Sequence, residues 1–279
     1  MLSLVAAATI AASTPNCAAI DGADTVLADK NLSFLVLGEL HGTAETPAIF
    51  ADLVCLATLK RGKVVVGVVF PVSDQPAVDA FMTSNDVKAA RSELLKSWVW
   101  AKSEDGRGSI AMLGMFERLR GYVRSGSVSR VLAMLSTKFV DSEDYERRMA
   151  QPLLDAQKQD SKLTLVLVGN AHARLVKSNW GPKPYWPMAY WLPQKQTVTL
   201  NTIDNGGSSW NCIGEGVDAD GKPNIVCKAR PGRTPQNLFT RGIVVNGETS
   251  ADGYSGTLRL GVETTASPPA KNARNLRQQ

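Results

Sequence analysis

Phe34-Leu35-Val36-Leu37-Gly38-Glu39-Leu40-His41 and Leu165-Val166-Leu167-Val168-Gly169-Asn170-Ala171-His172 share one design, an apolar run followed by Gly-x-x-His. The chain holds two histidines in 279 residues, and each closes one of these runs. The runs are short, rich in Val and Leu, and lack period-2 alternation, the pattern of strands buried on both faces in a parallel sheet covered by helices. The glycine permits a sharp turn or a close approach to a ligand. Ligands of open α/β sheets collect beyond the carboxyl ends of the strands, so both imidazoles are expected at that rim. Neighbouring strands would put them in one cleft, where they could move protons or ligate a metal near neutral pH. One histidine so placed is more simply a polar strand-end residue bonded to a carbonyl; two in the same context favour a shared site.

Outward from the first run, Thr43 reads as the cap of a helix reaching about Lys60, with Pro47 in its first turn and Arg61-Gly62 closing it. A second buried strand covers residues 63–69, Pro71 ends it, and Asp74-Gln75-Pro76 opens a helix to about Met82. Residues 83–108 form a polar, partly helical connection. A stronger helix over 109–124 carries Ala111, Met112, Met115, Phe116 and Leu119 on one face, which reads as core. A strand over 129–135 and a helix over 142–159 precede the second Gly-x-x-His run. The helix bears Glu143, Asp144, Glu146, Arg147 and Arg148, most simply a solvated face. After His172 come a Pro/aromatic loop over 180–187, a β-like stretch over 197–203 and a last strand-like stretch over 257–262.

This alternation predicts an α/β fold: a mainly parallel sheet flanked by helices, with a C-terminal β-rich and loop-rich extension. One domain is expected over 21–263, with its core about 30–200 and a disulfide-prone loop region over 201–263. Residues 264–279, with Pro268-Pro269 and many polar residues, read as a disordered tail.

Composition bounds the function. Hydrophobic content of 44%, charged content of 20% and a net charge of +5 are those of an ordinary soluble domain. The basic residues are scattered, so no nucleic-acid partner is expected. Within an N-terminal apolar segment over 1–20, MLSLVAAATIAAS is too short to span a bilayer. It resembles the apolar and cleavage regions of an export signal, with Ala11-Ala12-Ser13 as the cleavage candidate, although no Lys or Arg precedes it. Export to the periplasm or beyond would suit disulfides. Cys212 and Cys227 flank a Gly/Asp-rich loop that they could staple, and Cys17 and Cys55 are the other candidate pair; four free thiols are the alternative. No C-x-x-C is present, which argues against a zinc ribbon or a thioredoxin-like centre.

The chemistry centres on the first motif. Glu39 directly follows a buried strand, where a carboxylate is costly unless paired or liganded. Glu45 would lie in the first turn of the next helix, where the dipole alone could account for it. With His41 and His172, these acids could supply a base and its orienting partner. Alternatively, His41, His172 and Glu39 could hold a divalent metal ion. Asp105-Gly106-Arg107 is a plausible turn, simplest as a surface ion pair, which could also bring Arg107 to an oxyanion and Asp105 to a substrate. Asn170 of the second motif, with Trp186 and Tyr190 of the aromatic loop, completes the candidate substrate-binding set, the loop being about equally a pocket wall or a surface turn. A serine-nucleophile elbow, a Walker loop and a dinucleotide fingerprint are all missing.

Gly-Glu-Leu-His-Gly-Thr-Ala-Glu at 38–45 and Gly-Asn-Ala-His-Ala at 169–173 resemble the erythromycin-esterase, ChaN-like and Tiki/TraB superfamily over roughly residues 30–200. Asp105-Gly106-Arg107, with Ser109 and Ala111-Met112, is similar to a segment of its exported bacterial members. The resemblance implies a Gly-x-x-His motif after two strands of an α/β core. Its branches imply ester hydrolysis, metal-dependent peptide cleavage or haem binding, hence a small-molecule or peptide substrate. Glu39, His41, Glu45 and His172 match the motif positions. In the haem alternative, Tyr185 and Tyr190 are the candidate axial ligands with histidine. One position departs: Val69 stands where relatives commonly carry a glutamate at the end of the second strand, which points to a weakened or silent member.

Overall fold

The computed structural model describes residues 17–160, 162–180, 182–217 and 220–271; the expected export segment at residues 1–13 lies outside them. The two Gly-x-x-His runs become β1 (Phe34–Glu39) and β4 (Thr164–Gly169), and every residue of both is buried. They are parallel neighbours, with Gly38 opposite Val168 and Glu39 opposite Gly169. The seven-stranded sheet has the order β3-β2-β4-β1-β5-β9-β8. Its other members are β2 (Val64–Pro71), β3 (Val128–Leu135), β5 (Thr197–Ile203), β8 (Gly242–Val245) and β9 (Gly256–Arg259). All pairs are parallel except β8 with β9.

Alternate side chains of the central strands leave by opposite faces. Leu35, Leu37, Val66 and Val68 enter the larger core under α1 (Ala23–Ala28), α2 (Glu45–Arg61), α3 (Gln75–Thr83) and α6 (Ile110–Arg124). Phe34, Val36, Val166 and Val168 enter the smaller core against α7 (Ser142–Asp160). Burial on both faces is why these strands read as continuous apolar runs.

The helix at residues 109–124 forms as expected, with the Ser109 hydroxyl accepting from the Met112 N–H at 3.2 Å. The Thr43 cap does not form; α2 starts one residue later on Ala44, and the Thr43 hydroxyl bonds that of Thr46. Between residues 83 and 108 the chain forms α4 (Val87–Leu94) and the short α5 (Trp98–Ala101). Trp100 of α5 packs with Phe70 and Phe116, ring centroids 5.0–5.6 Å apart, which pins this segment to the end of β2.

Both cysteine pairs form, Cys17–Cys55 and Cys212–Cys227. The second bridges a hairpin of β6 (Ser208–Val217) and β7 (Pro223–Pro231), where the sequence suggested a stapled loop. Among the described residues no helix is long and apolar enough to cross a membrane.

Residues 264–271, read from sequence as the start of a disordered tail, are packed. The Ala44 N–H donates to Thr265 O, Ser267 N–H to Gly42 O, Ile110 N–H to Pro268 O and Ala270 N–H to Gly108 O. The loops after β1 and before α6 carry backbone groups that neither helix nor sheet satisfies, and this extended segment satisfies them.

Candidate functional site

The register of β1 on β4 brings the two histidines together. Glu39 ends β1 and is 3% exposed, and its Oε1 lies 2.9 Å from His41 Nδ1. Gly169 ends β4, and the chain then makes a 3-10 turn over Asn170–Ala173 that carries His172. A Cβ on Gly169 would stand 3.1 Å from His41 Nε2 and 3.4 Å from His172 Cδ2. Both rings therefore stand over this glycine, and a side chain there would fill the gap. Gly38 is equally constrained, since its Cβ would come within 2.9 Å of Asn170 Cα.

His172 has its own carboxylate. Glu146 of α7, 2% exposed, lies 2.7 and 2.9 Å from His172 Nδ1 through its two oxygens and also accepts the Met188 N–H at 2.8 Å. In both pairs the carboxylate takes Nδ1, which leaves Nε2 as the nitrogen free to accept a proton.

Glu146 is a correction to the sequence reading, which put it on a solvated face. Its signal was its spacing: Glu146, Met149, Ala150 and Leu153 fall at i, i+3, i+4 and i+7, and all four are buried. Asp144 is buried as well, held by Arg147 and Arg148, so only part of the run is solvated.

Glu45, the other candidate orienting acid, faces elsewhere. Its Oε2 accepts the Thr265 N–H at 2.8 Å, which makes it a clasp for the C-terminal segment.

Asp105 and Arg107 do reach the histidines. Arg107 Nε lies 2.8 Å and Nη2 2.7 Å from Asp105 Oδ2. Burial raises the Asp105 carboxyl, but the hydrogen bond and charge of Arg107, the Ser103 hydroxyl and the charge of His41 outweigh it and hold it at about 2. The loop is placed by close glycine contact, a Cβ on Gly106 falling 2.5 Å from Gly42 Cα. The hairpin grips the same place: Trp210 N–H donates to Gly42 O, and the Trp210 indole N–H donates to Glu104 O at 2.9 Å.

Two cavities meet at His172. The smaller, about 240 Å³, includes Glu39, His41, Asp105, Asn170 and His172 in its lining. The larger, about 690 Å³, is walled by Trp98, Phe139, Tyr145 and Tyr185, with Arg107, Glu146 and His172 on its polar side. Burial pushes the Tyr145 phenol up to about 12, with Glu146, Asp105 and Tyr185 adding to it and Arg107 opposing, so it stays a hydrogen-bond donor.

The aromatic loop contributes Tyr185 to this wall. Trp186 and Tyr190 line neither cavity; they stack on one another at 3.8 Å, with Lys177 over the Trp186 ring. Of the two tyrosines named with histidine for the haem reading, Tyr185 lines the larger cavity beside His172 and Tyr190 is stacked on Trp186. Among the described residues no group of three or more His, Cys, Asp or Glu side chains is arranged to hold a metal ion. Val69, at the position of the commonly acidic residue, is buried in the smaller core.

No protein-family model and no curated protein matches the chain. Solved structures do. A histidine mutant of erythromycin esterase EreC, in its open conformation, aligns with TM-score 0.60 at 9% identity, over 88% of this chain and 93% of that one. A succinoglycan biosynthesis protein aligns with TM-score 0.58 at 11% identity, over 86% and 90%. A protein from Bacillus cereus aligns with TM-score 0.52 at 10% identity, over 86% and 90%. The chain has the erythromycin-esterase-like fold, the fold that the two Gly-x-x-His motifs implied.

Proposed function

We propose that the protein is an exported hydrolase of ester or amide bonds that works through two carboxylate–imidazole pairs, Glu39–His41 and Glu146–His172. The observation that carries this reading is that both histidines of the chain stand over Gly169, each with Nδ1 held by a buried carboxylate. A carboxylate on Nδ1 fixes the tautomer and leaves Nε2 to accept a proton from water. In the proposed reaction His41 takes that proton as the water oxygen adds to the acyl carbon. The His41 imidazolium then returns that proton to the leaving oxygen or nitrogen as its bond to the acyl carbon breaks, while His172 Nε2 accepts a hydrogen bond from the water and holds it in place. Glu39, rather than Glu45, orients the base, and Arg107 faces the negative charge that develops on the acyl oxygen. The fold neighbour named an erythromycin esterase makes ester hydrolysis the first reaction to assay. The two disulfides are compatible with export.

The test is hydrolysis of p-nitrophenyl acyl esters and an ester and peptide panel by wild type, His41→Ala, His172→Ala and Glu146→Gln. Turnover is expected, with kcat falling roughly 10²- to 10⁴-fold in the histidine variants and roughly 10²-fold in Glu146→Gln at nearly unchanged KM and Tm. No turnover by wild type, or full turnover by both histidine variants, would overturn the proposal.

A further inference from the structure

The chamber at the histidines does not end there. A second hollow of about 230 Å³ adjoins it and shares Asn170, Ala171 and Trp180 with it, so the two form one trough with Trp180 at the common lip. Trp180 is not part of the catalytic arrangement proposed above. We propose that this trough is a saccharide-binding subsite, with the Trp180 indole as its stacking platform.

Two buried acceptors in the trough lack donors among the described residues. One is Glu39 Oε2, whose sister oxygen is on His41; the other is Asn201 Oδ1 on β5. Leaving a buried acceptor unpaired costs about 1–3 kcal/mol, and both acceptors belong to residues that line the trough. The trough also presents an apolar plane. Trp180 is 72% exposed, whereas the neighbouring Trp186 is stacked on Tyr190. A large ring held in water at the mouth of a polar pocket suits a ligand with one apolar face.

The charged groups of the outer hollow, Arg174 and Asp252, are one of each sign and favour a neutral ligand over an ion. Together with the Asn170 amide they offer planar donors and acceptors to vicinal hydroxyls. A pyranose meets all three demands: hydroxyl donors around the rim, a C–H face for the indole, and no charge. With the hydrolase reading, on which this extension rests, the substrate class becomes an O-acylated sugar. Water adds to the acyl carbon, the acyl–oxygen bond breaks, the sugar oxygen regains a proton, and a carboxylic acid leaves.

The experiment is saturation-transfer NMR, followed by calorimetric titration, of wild-type and His41→Ala protein. The probes are methyl glucoside, methyl galactoside, methyl rhamnoside and N-acetylglucosamine, with uridine as the flat-ring alternative. Saturable transfer to the C–H protons of at least one sugar is expected in both proteins. Trp180→Ala should weaken it roughly tenfold and Trp180→Phe should restore most of it. No saturable sugar signal, an affinity unchanged in Trp180→Ala, or uridine binding more tightly than every sugar would overturn the proposal. Binding is read in a variant designed not to turn over, so failure of the subsite and failure of the hydrolase reading are separate results.

Discussion

At Asp105 a single carboxylate ties the arginine loop to the histidine loop. It accepts from Arg107 and Ser103 and lies in the lining of the His41 chamber. Its folded value of about 2 lies below the unperturbed 3.8. The sign is that of a depressed acid: the stabilisation is present at neutral pH, above the unfolded value, and is lost as pH falls through the folded one. With the side chain 37% exposed, solvent screening reduces the contribution to about 1 kcal/mol. Asp105→Asn is therefore expected to lose about that much stability at pH 7, with the gap from wild type closing between pH 4 and 2. Urea unfolding of both proteins across that range measures it; a gap that widens in acid would contradict the assignment.

Between β1 and β4 the site depends on two glycines, and they fail in different ways. Gly42, at φ +82°, takes a conformation that side chains rarely adopt, and a Cβ there would meet Trp210 O at 2.2 Å. Gly169 has an ordinary extended backbone, φ −55° and ψ 139°, so alanine can be accepted there without backbone strain. Its Cβ would instead press on His41 Nε2 at 3.1 Å. Gly169→Ala is thus expected to keep wild-type circular dichroism and lose less than about 1 kcal/mol, while ester turnover falls roughly 10- to 100-fold. Melting curves and steady-state kinetics on one preparation separate the two effects.

The strand pair and the imidazole pair were legible at this scale because burial on both faces writes itself as an unbroken apolar run, and because histidine is so scarce here. Glu146 was not, although it lies on the buried stripe of α7. A charge-rich helix reads as solvated until its partner, 26 residues later in sequence, is known to be His172. In the aromatic loop the spacing did not single out which rings face a cavity: Trp186 and Tyr190 stack on one another, while Trp180 and Tyr185 line the cavities.

Across the whole molecule, segments far apart in sequence converge on the loop after β1. Gly42 O accepts from Trp210 N–H and from Ser267 N–H, and Glu45 accepts from Thr265 N–H. The C-terminal stretch was illegible because its stabilisation comes from backbone hydrogen bonds, which leave no hydrophobic period. Ending the chain at Glu263 removes the four backbone bonds described for residues 265–270. At roughly 0.5–1.5 kcal/mol each this is expected to lower Tm by roughly 10 °C. Turnover should fall further than stability because the His41 loop loses its clasp. Calorimetry of the truncated and full chains checks the first expectation, and activity well below the truncated protein's melting range checks the second.

The central claim is that two imidazoles share one crevice with their Nδ1 atoms held by carboxylates. A chain with two histidines allows a direct reading by long-range ¹H–¹⁵N correlation of the imidazole nitrogens at neutral pH. The account expects both rings, when neutral, as the Nδ1–H tautomer, and expects His172→Ala to shift the His41 nitrogen signals. Two rings in the Nε2–H form, neither responding to loss of the other, would contradict it.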